Sequence, residues 1–214
     1  MPETINVYYD VENTLHVPFV TGIQRVVREF SRRVLQKNTG ALQFIPVIYC
    51  EYCNGWRKLS KDETINLCSN SPLTETREAR KSFYRVAIAK ILGNRLKQYI
   101  KNALQRHRHA GWHNNLLLPL FEQGSVFLDI DASWHNKLKR DRLLPALRHG
   151  GVRIATLHYD LIPILFPQLT HKNTVTLFTN HLRAHIENSD LFICISRNAQ
   201  KDLVHYLSDF YCKK

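Results

Sequence analysis

Short apolar runs alternate along the chain with longer segments in which apolar side chains recur at helical spacing. The short runs are rich in β-branched and aromatic residues and are typical of buried strands; they cover Ile5–Tyr9, Leu42–Tyr49, Ser125–Asp129, Val152–His158 and Leu191–Ile195. The longer segments predict helices over Gly22–Gln36, Glu78 to about His107, Asn136–His149, Thr170–Glu187 and from Ser196 onward. Because strands alternate with helices, we expect an α/β fold, a Rossmann-like doubly wound sheet that is mostly parallel with helices on both faces.

Three features qualify this pattern. Pro46 lies inside the second strand and predicts an edge position or a bulge there. Asn54–Leu59 predicts a turn followed by a short extended piece, and Asn66–Thr76 predicts a polar loop.

Polar residues fall at or just after the carboxyl ends of the predicted strands, where open parallel sheets bind their ligands. They are Asp10, Asp129, Asp131, His158, Asp160 and Ser196. His158 and Asp160 are suited to proton transfer or to holding sugar hydroxyls. The simpler alternative is that Asp160 caps the turn that follows it.

The helix from Gly22 follows a strand and a glycine turn, so its first N–H groups are placed to meet an anion. Its apolar face is predicted to hold Ile23, Val26, Val27, Phe30 and Val34, and its positive charge comes from Arg25, Arg28, Arg32 and Arg33. Ser196 is placed to cap the last helix, whose first N–H groups could also hold a phosphate. Every helix needs a cap, so this residue alone does not indicate a binding site.

The chain has 214 residues and a formal charge of +12, which favours anionic partners. It has no signal-peptide pattern and no apolar run of about 18 residues, so a cytoplasmic protein is expected. Ten Lys and Arg and one acid give residues 77–109 a charge of +9. This segment predicts a basic amphipathic helix, and two interpretations stay open: Lys90, Lys97 and Lys101 bind an anionic membrane surface, or they form the solvated face of a packed helix.

Several short motifs resemble known functional sites only in part. FLDIDAS, residues 127–133, resembles the nucleophile motif of haloacid-dehalogenase-type phosphatases, and it contains a D-x-D like the metal-binding carboxylates of another glycosyltransferase class. The phosphatase motif should lie near the start of the core sheet, whereas this segment falls late in the chain and the lysine and paired acids of that family do not follow it. Cys50 and Cys53 lack a second pair of zinc ligands. His181 and His185 are four residues apart, but Leu182 stands where the metalloprotease pattern needs Glu, so they are interpreted as surface histidines and no metal site is predicted.

Three segments occur in order: TGIQRVVREF, YDLIPILFP and the D-LFICIS----KDL pattern. Together they resemble the N-terminal domain of bacterial family-4 glycosyltransferases of the GT-B fold, especially members that build surface polysaccharides. The resemblance implies that residues 1–214 form one Rossmann-like domain that holds the acceptor. It implies a reaction in the cleft toward a second domain that binds the nucleotide-sugar donor, without an essential metal or cofactor.

The resemblance also implies roles for individual residues. Asp160 and His158 would be catalytic. Thr21 and Gly22 would face the donor phosphates, and Ser196 and Arg197 would line the floor of the cleft. With Asp10 at a strand end and Arg25 on the helix, these residues complete the predicted substrate-binding set. Family members often have His directly before the Asp of DLIP, where this chain has Tyr159, so Asp160 is the firmer assignment.

The donor-binding Glu-x7-Glu element of the family does not occur in these 214 residues. We therefore expect this chain alone not to turn over a nucleotide-sugar, and a separate chain carrying the donor domain is one expected partner. The acceptor would be a glycan or a lipid-linked glycan at the membrane. The alternatives are a non-catalytic lipid- or glycan-binding protein and, supported by charge alone, a nucleic-acid-binding protein.

Overall fold

The structure is a computed structural model, and it describes residues 4–17, 21–36, 40–50, 55–69, 116–117 and 121–212. Its strands are β1 Ile5–Asp10, β2 Leu42–Cys50, β3 Gly55–Lys58, β4 Leu116–Leu117, β5 Val126–Asp129, β6 Arg153–His158 and β7 Leu191–Cys194. Its α-helices are α1 Glu12–His16, α2 Gly22–Gln36, α3 Lys61–Cys68, α4 Arg140–His149, α5 Ile162–Leu165, α6 Lys172–Asn188 and α7 Arg197–Cys212. Two short 3₁₀ turns cover Ser133–His135 and Pro167–Leu169.

The strands form one sheet in the order β4-β3-β2-β1-β5-β6-β7. Strands β1, β2, β5, β6 and β7 are parallel, while β3 is antiparallel to both β2 and β4. The chain moves outward from β1 to β2 and later returns to the other side of β1 with β5. The strand order therefore reverses between β1 and β5, and a crevice at the carboxyl ends of these two strands is the expected ligand position in such sheets.

Alternate residues of the central strands pack against opposite layers, because side chains of a strand point to opposite faces. On one face Tyr8 and Phe127 pack with Leu144 of α4. On the other face Val7 and Leu128 pack with Val27 of α2 and Leu67 of α3. The expected doubly wound, mostly parallel α/β fold with helices on both faces is confirmed.

A third apolar cluster lies at the β7 edge and joins α6 to α7. Phe178 and Leu182 of α6 pack there with Leu203 of α7, and Phe192 and Cys194 lie against them. This cluster forms the apolar side of the site described below.

Some predicted boundaries differ from the structure. The helix expected over Asn136–His149 begins at Arg140, because a 3₁₀ turn at Ser133–His135 precedes it. The polar loop expected from Asn66 begins inside α3, a helix that starts after Ser60 and has a complete capping box with Glu63. The predicted helix from Glu78 to about His107 lies outside the described residues.

The position of Pro46 inside β2 follows from the pairing of this strand. The β2–β3 register begins at Val47, so Pro46 falls in the part of β2 that pairs with β1 alone among the described residues. Its missing N–H therefore breaks no cross-strand hydrogen bond to β3.

Candidate functional site

A buried ionic cluster lies at the carboxyl ends of β1 and β5, where the strand order reverses. Arg140, at the start of α4, donates hydrogen bonds to Asp10 and Asp129, the last residues of these strands. Asn136 donates a further hydrogen bond of 2.9 Å to Asp10. The side chains of Arg140, Asp10 and Asp129 are each 1% exposed or less. The cluster therefore ties α4 to the two central strands.

The two carboxylates respond differently to this burial. Burial raises the pKa of Asp129, but the Arg140 charge and the hydrogen bond with His185 outweigh it and hold the pKa well below its usual range. For Asp10 burial prevails over the attraction of Arg140, helped by repulsion from Asp129, so its pKa is raised. Asp129 is thus the stable anion of the cluster.

Asp131 fixes helix α1 to the loop after β5. It accepts hydrogen bonds from the Thr14 amide (2.6 Å) and the Thr14 hydroxyl (2.9 Å). Burial, and next the nearby Asp10 charge, raise the pKa of Asp131 to about 7. Arg28 of α2 approaches from the other side of Thr14, whose carbonyl it contacts at 3.3 Å. Arg28 is thus a buried link between helices α1, α2 and α3.

A small cavity of about 20 Å³ lies between the ends of β5, β6 and β7 and helix α6. Its walls carry polar and aromatic side chains: Asp129, Asp131, Trp134, Thr156, His158, Tyr159, Phe178, His181, His185 and Phe192. A space of this size holds a single water molecule or a single ion, and not a sugar ring. The cavity is therefore an internal polar site beneath the edge of the sheet.

His158 is buried at this cavity, and its Nε2 atom has no hydrogen-bond partner among the described residues. Burial lowers the pKa of His158, against the opposing charges of Asp160 and Asp202. A neutral imidazole is therefore favoured here, which leaves one ring nitrogen free to accept a proton or bind a cation.

The interpretation of His181 and His185 as surface histidines is wrong. His185 is 1% exposed, and its two ring nitrogens lie 2.9 Å from Asp129 Oδ2 and 2.7 Å from Ser189 Oγ. His181 is partly buried, with its ring centroid 4.5 Å from that of His185, and burial holds its pKa well below the usual range. The helical spacing placed both rings on one face of α6, and that face points inward.

Asp160 lies nearer the surface and is partly buried. One of its carboxylate oxygens accepts a hydrogen bond of 3.0 Å from the Ile162 amide at the start of α5, so the capping role weighed against catalysis is present. The neighbouring Tyr159 turns away and donates its hydroxyl to the Ile130 carbonyl at 2.7 Å. His158 thus lines the cavity, whereas Asp160 lies outside it and nearer the surface.

The remaining predicted substrate residues divide by burial. Thr21, Gly22 and Arg25 are exposed at the start of α2. Ser196 and Arg197 are exposed at the start of α7, where Ser196 Oγ accepts a hydrogen bond of 3.1 Å from the Ala199 amide. Asp10 is the exception, because it is completely buried and bonded to Arg140 and Asn136. Its placement corrects the expectation of direct substrate contact in this conformation.

Burial also argues against the phosphatase interpretation of FLDIDAS. A nucleophilic aspartate must reach its substrate, whereas Asp129 and Asp131 are 2% and 3% exposed and engaged by neighbouring side chains. Lys90, Lys97 and Lys101 lie outside the described residues. Within the part of the chain that the structure describes, none of the helices combines the length and hydropathy needed to span a bilayer.

Sequence reasoning missed several residues of the site. Arg140 and Asn136 lie among basic and polar residues with no pattern of their own, and Thr14 follows a strand by a few positions. The pair His181 and His185 did carry a signal, the helical spacing of four, but its burial depends on the position of α6 against β5. A comparison with protein-family models and with curated proteins finds no match.

Proposed function

We propose that this chain is the acceptor-side domain of a nucleotide-sugar-dependent glycosyltransferase of the GT-B type. The observation that carries the proposal is the position of the three segments that resemble family-4 enzymes. The first follows β1, the second begins at the end of β6, and the third contains β7 and the start of α7. All three strands are parallel, so the segments meet at one edge of the sheet.

Neighbouring strands lie about 4.8 Å apart, so β1 and β6, with β5 between them, are separated by about 10 Å. On this proposal the exposed start of α2 and the Asp160 carboxylate contact the same substrate at the carboxyl edge of the sheet. The Oδ1 atom of Asp160 serves the turn, and Oδ2 is left for a sugar hydroxyl. The acceptor hydroxyl would bind here, and the donor would come from a second domain.

An apolar surface beside Asp160 supports a lipid-linked acceptor. Four large apolar side chains in and after α5 are 44% to 71% exposed: Ile162, Leu165, Phe166 and Leu169. Exposed apolar surfaces of this kind mark binding sites for partners or membranes. A glycan bound at Asp160 would then carry its lipid along this surface, at a membrane that the basic residues 77–109 help to bind.

The test is binding of saccharides to the purified 214-residue chain by saturation-transfer NMR. The probes are oligosaccharides from bacterial surface polysaccharides, free and linked to polyprenyl diphosphate in detergent. We expect binding that Asp160→Asn weakens at least tenfold and Asp209→Asn, an exposed acid on α7, leaves unchanged. We also expect no steady sugar transfer from nucleotide-sugars, and such transfer by this chain alone would contradict the assignment to the acceptor side.

The alternatives predict different results in the same assay. A non-catalytic binding protein would bind glycans or lipid vesicles, and replacing Asp160 would leave that binding unchanged. A nucleic-acid-binding protein would bind DNA in a salt-sensitive way and ignore both saccharides and vesicles.

A further inference from the structure

We propose that Asp129, His181 and His185 bind one divalent metal ion of the zinc type. Each offers one ligand atom, and these atoms lie within 4.8 Å of one another. Asp129 ends β5, and the two histidines lie one turn apart on α6. Two histidines and a carboxylate are a common ligand set for Zn²⁺, with water as the fourth ligand. The inference is independent of the glycosyltransferase proposal.

Unpartnered polar atoms point to a ligand in this cavity. His181 Nδ1, His158 Nε2 and Trp134 Nε1 are all buried and have no hydrogen-bond partner among the described residues. All three residues line the cavity of about 20 Å³, which has room for one ion or one water molecule. A buried polar group without a partner is unfavourable, because it has lost its hydrogen bonds to water and gained none in return. A metal ion lying between the ligand atoms, with its one bound water in the cavity, would satisfy them together.

The three groups would play different parts. The imidazoles of His181 and His158 each have a nitrogen that can accept, whereas the Trp134 indole N–H only donates. His181 would therefore ligate the ion, and Trp134 would donate to its bound water. His158 would accept a hydrogen bond from the same water.

The second nitrogen of His185 already has the partner that a metal ligand needs. Histidine ligands usually donate their other N–H to a neighbouring oxygen, which fixes the ring and the tautomer. Ser189 Oγ lies 2.7 Å from His185 Nδ1 and can accept that proton. Nε2, now 2.9 Å from Asp129 Oδ2, would bind the ion in the tautomer that carries its proton on Nδ1.

The carboxyl groups around the cavity differ in charge. Burial raises the pKa of Asp10 and of Asp131, whereas at Asp129 burial is outweighed by Arg140 and His185, which hold the pKa low. Asp129, the carboxylate in the ligand set, is therefore the one that offers the ion a negative charge. Ligands of a tetrahedral Zn²⁺ lie about 3.4 Å apart, given bonds of about 2.0–2.1 Å. His185 Nε2 and Asp129 Oδ2, now 2.9 Å apart, would therefore separate slightly on binding, and the more distant ligand atoms, up to 4.8 Å apart, would move closer together.

The ligands come from the end of β5 and from α6. We therefore assign the ion a structural role, which holds α6 to the end of β5. Bound metal stabilises the folded state by mass action. It should therefore raise the melting temperature of the chain.

The experiment uses the purified chain stripped with EDTA and titrated with ZnCl₂ and CoCl₂. We expect one equivalent of Zn²⁺ by calorimetry, visible d–d bands of tetrahedral Co²⁺, and a higher melting temperature. His181→Ala should abolish the Co²⁺ bands and lower Zn²⁺ affinity at least 100-fold. Ser189→Ala should lower it about 10- to 100-fold, as for other partners of metal-ligating histidines.

The matched control is His205→Ala, which removes an exposed histidine of α7. It should retain full binding and the Co²⁺ bands. Equal loss in both histidine variants would identify adventitious surface binding and overturn the proposal, as would the absence of stoichiometric binding by the folded chain. His181→Gln, checked for native circular dichroism, separates loss of a ligand from loss of folding.

Discussion

Arg140 holds Asp129 in a two-pronged contact in the centre of the molecule. Its Nε and Nη2 atoms donate to different oxygens of the Asp129 carboxylate, with 3.0 Å between Nη2 and Oδ1. The same Nη2 atom also donates to Asp10 on the neighbouring strand. One guanidinium therefore bridges both strand ends at the point where other doubly wound sheets leave a ligand crevice.

Removing this guanidinium should be costly. Arg140→Met leaves two buried carboxylates without their counter-ion, and breaking a buried pair in this way costs about 3–5 kcal/mol of unfolding free energy. The measurement is urea denaturation at neutral pH. Arg142→Met, at an exposed position two residues on in α4, is the control and should change the free energy by less than about 0.5 kcal/mol. A loss below 1 kcal/mol for Arg140→Met would show that water or another cation compensates the carboxylates.

The two possible roles of Asp160 can be separated by two substitutions. Asp160→Asn keeps an oxygen that accepts from the Ile162 amide, so its stability should match the wild type within about 0.5 kcal/mol. Asp160→Ala removes that acceptor and should cost about 1 kcal/mol. Both should lose saccharide binding if the charge contacts substrate. Binding that survives in the Asn variant and fails in the Ala variant would assign Asp160 to the turn alone.

Most of the sheet could be predicted because the sequence of a buried strand is itself a continuous apolar run. The runs around Tyr8 and Phe127 are apolar on both sides, as strands covered by helices on both faces must be. Helix α2 was predicted with its exact bounds, since glycine opens it and its apolar residues keep helical spacing. Helix α3 was missed although Ser60 and Glu63 carried a capping-box signal.

The interior of the site could not be predicted, because it depends on contacts between distant parts of the chain. Arg140 and Asp10 are 130 positions apart, and His185 and Asp129 are 56 apart. No local pattern distinguishes Arg140 from the exposed cations around it. His181 and His185 are an example: their spacing predicts that they share one face of a helix, but only the packing of α6 determines that this face is buried.

Asp190 should contribute to stability through the backbone and not through its ion pair. Its pair with Arg148 is 3.1 Å long but about half exposed, and such pairs contribute about 0–1 kcal/mol. The other Asp190 oxygen accepts from the Ile154 amide at 2.8 Å. Arg148→Ala should therefore cost less than Asp190→Ala, for which we expect about 1–2 kcal/mol in thermal or urea unfolding. Asp190→Asn should retain most of the stability; equal costs for the Arg148 and Asp190 alanine variants would assign the effect to the ion pair.

Glu63 should give the chain a distinct loss of stability in acid. Burial raises the pKa of Glu63, but hydrogen bonds from Arg57 and from Ser60 outweigh it, so the pKa is lower in the folded state than in the unfolded chain. The unfolded state then binds more protons below about pH 4.5, and stability falls as the pH drops through the folded pKa.

Glu63→Gln removes this titration and the carboxylate that faces the nearly buried Arg57 side chain. We expect it to cost about 1–3 kcal/mol at pH 7, as for hydrogen bonds to charged groups, and to cost less as the pH falls from 5 to about 3. Urea midpoints at several pH values measure the difference. Asp62→Asn, at an exposed position in the same helical turn, should run parallel to the wild type across that range. If the Glu63→Gln curve also runs parallel, the Arg57 contact does not persist in solution, and α3 is held by contacts such as its Ser60 cap, Leu67 and the hydrogen bonds from Arg28.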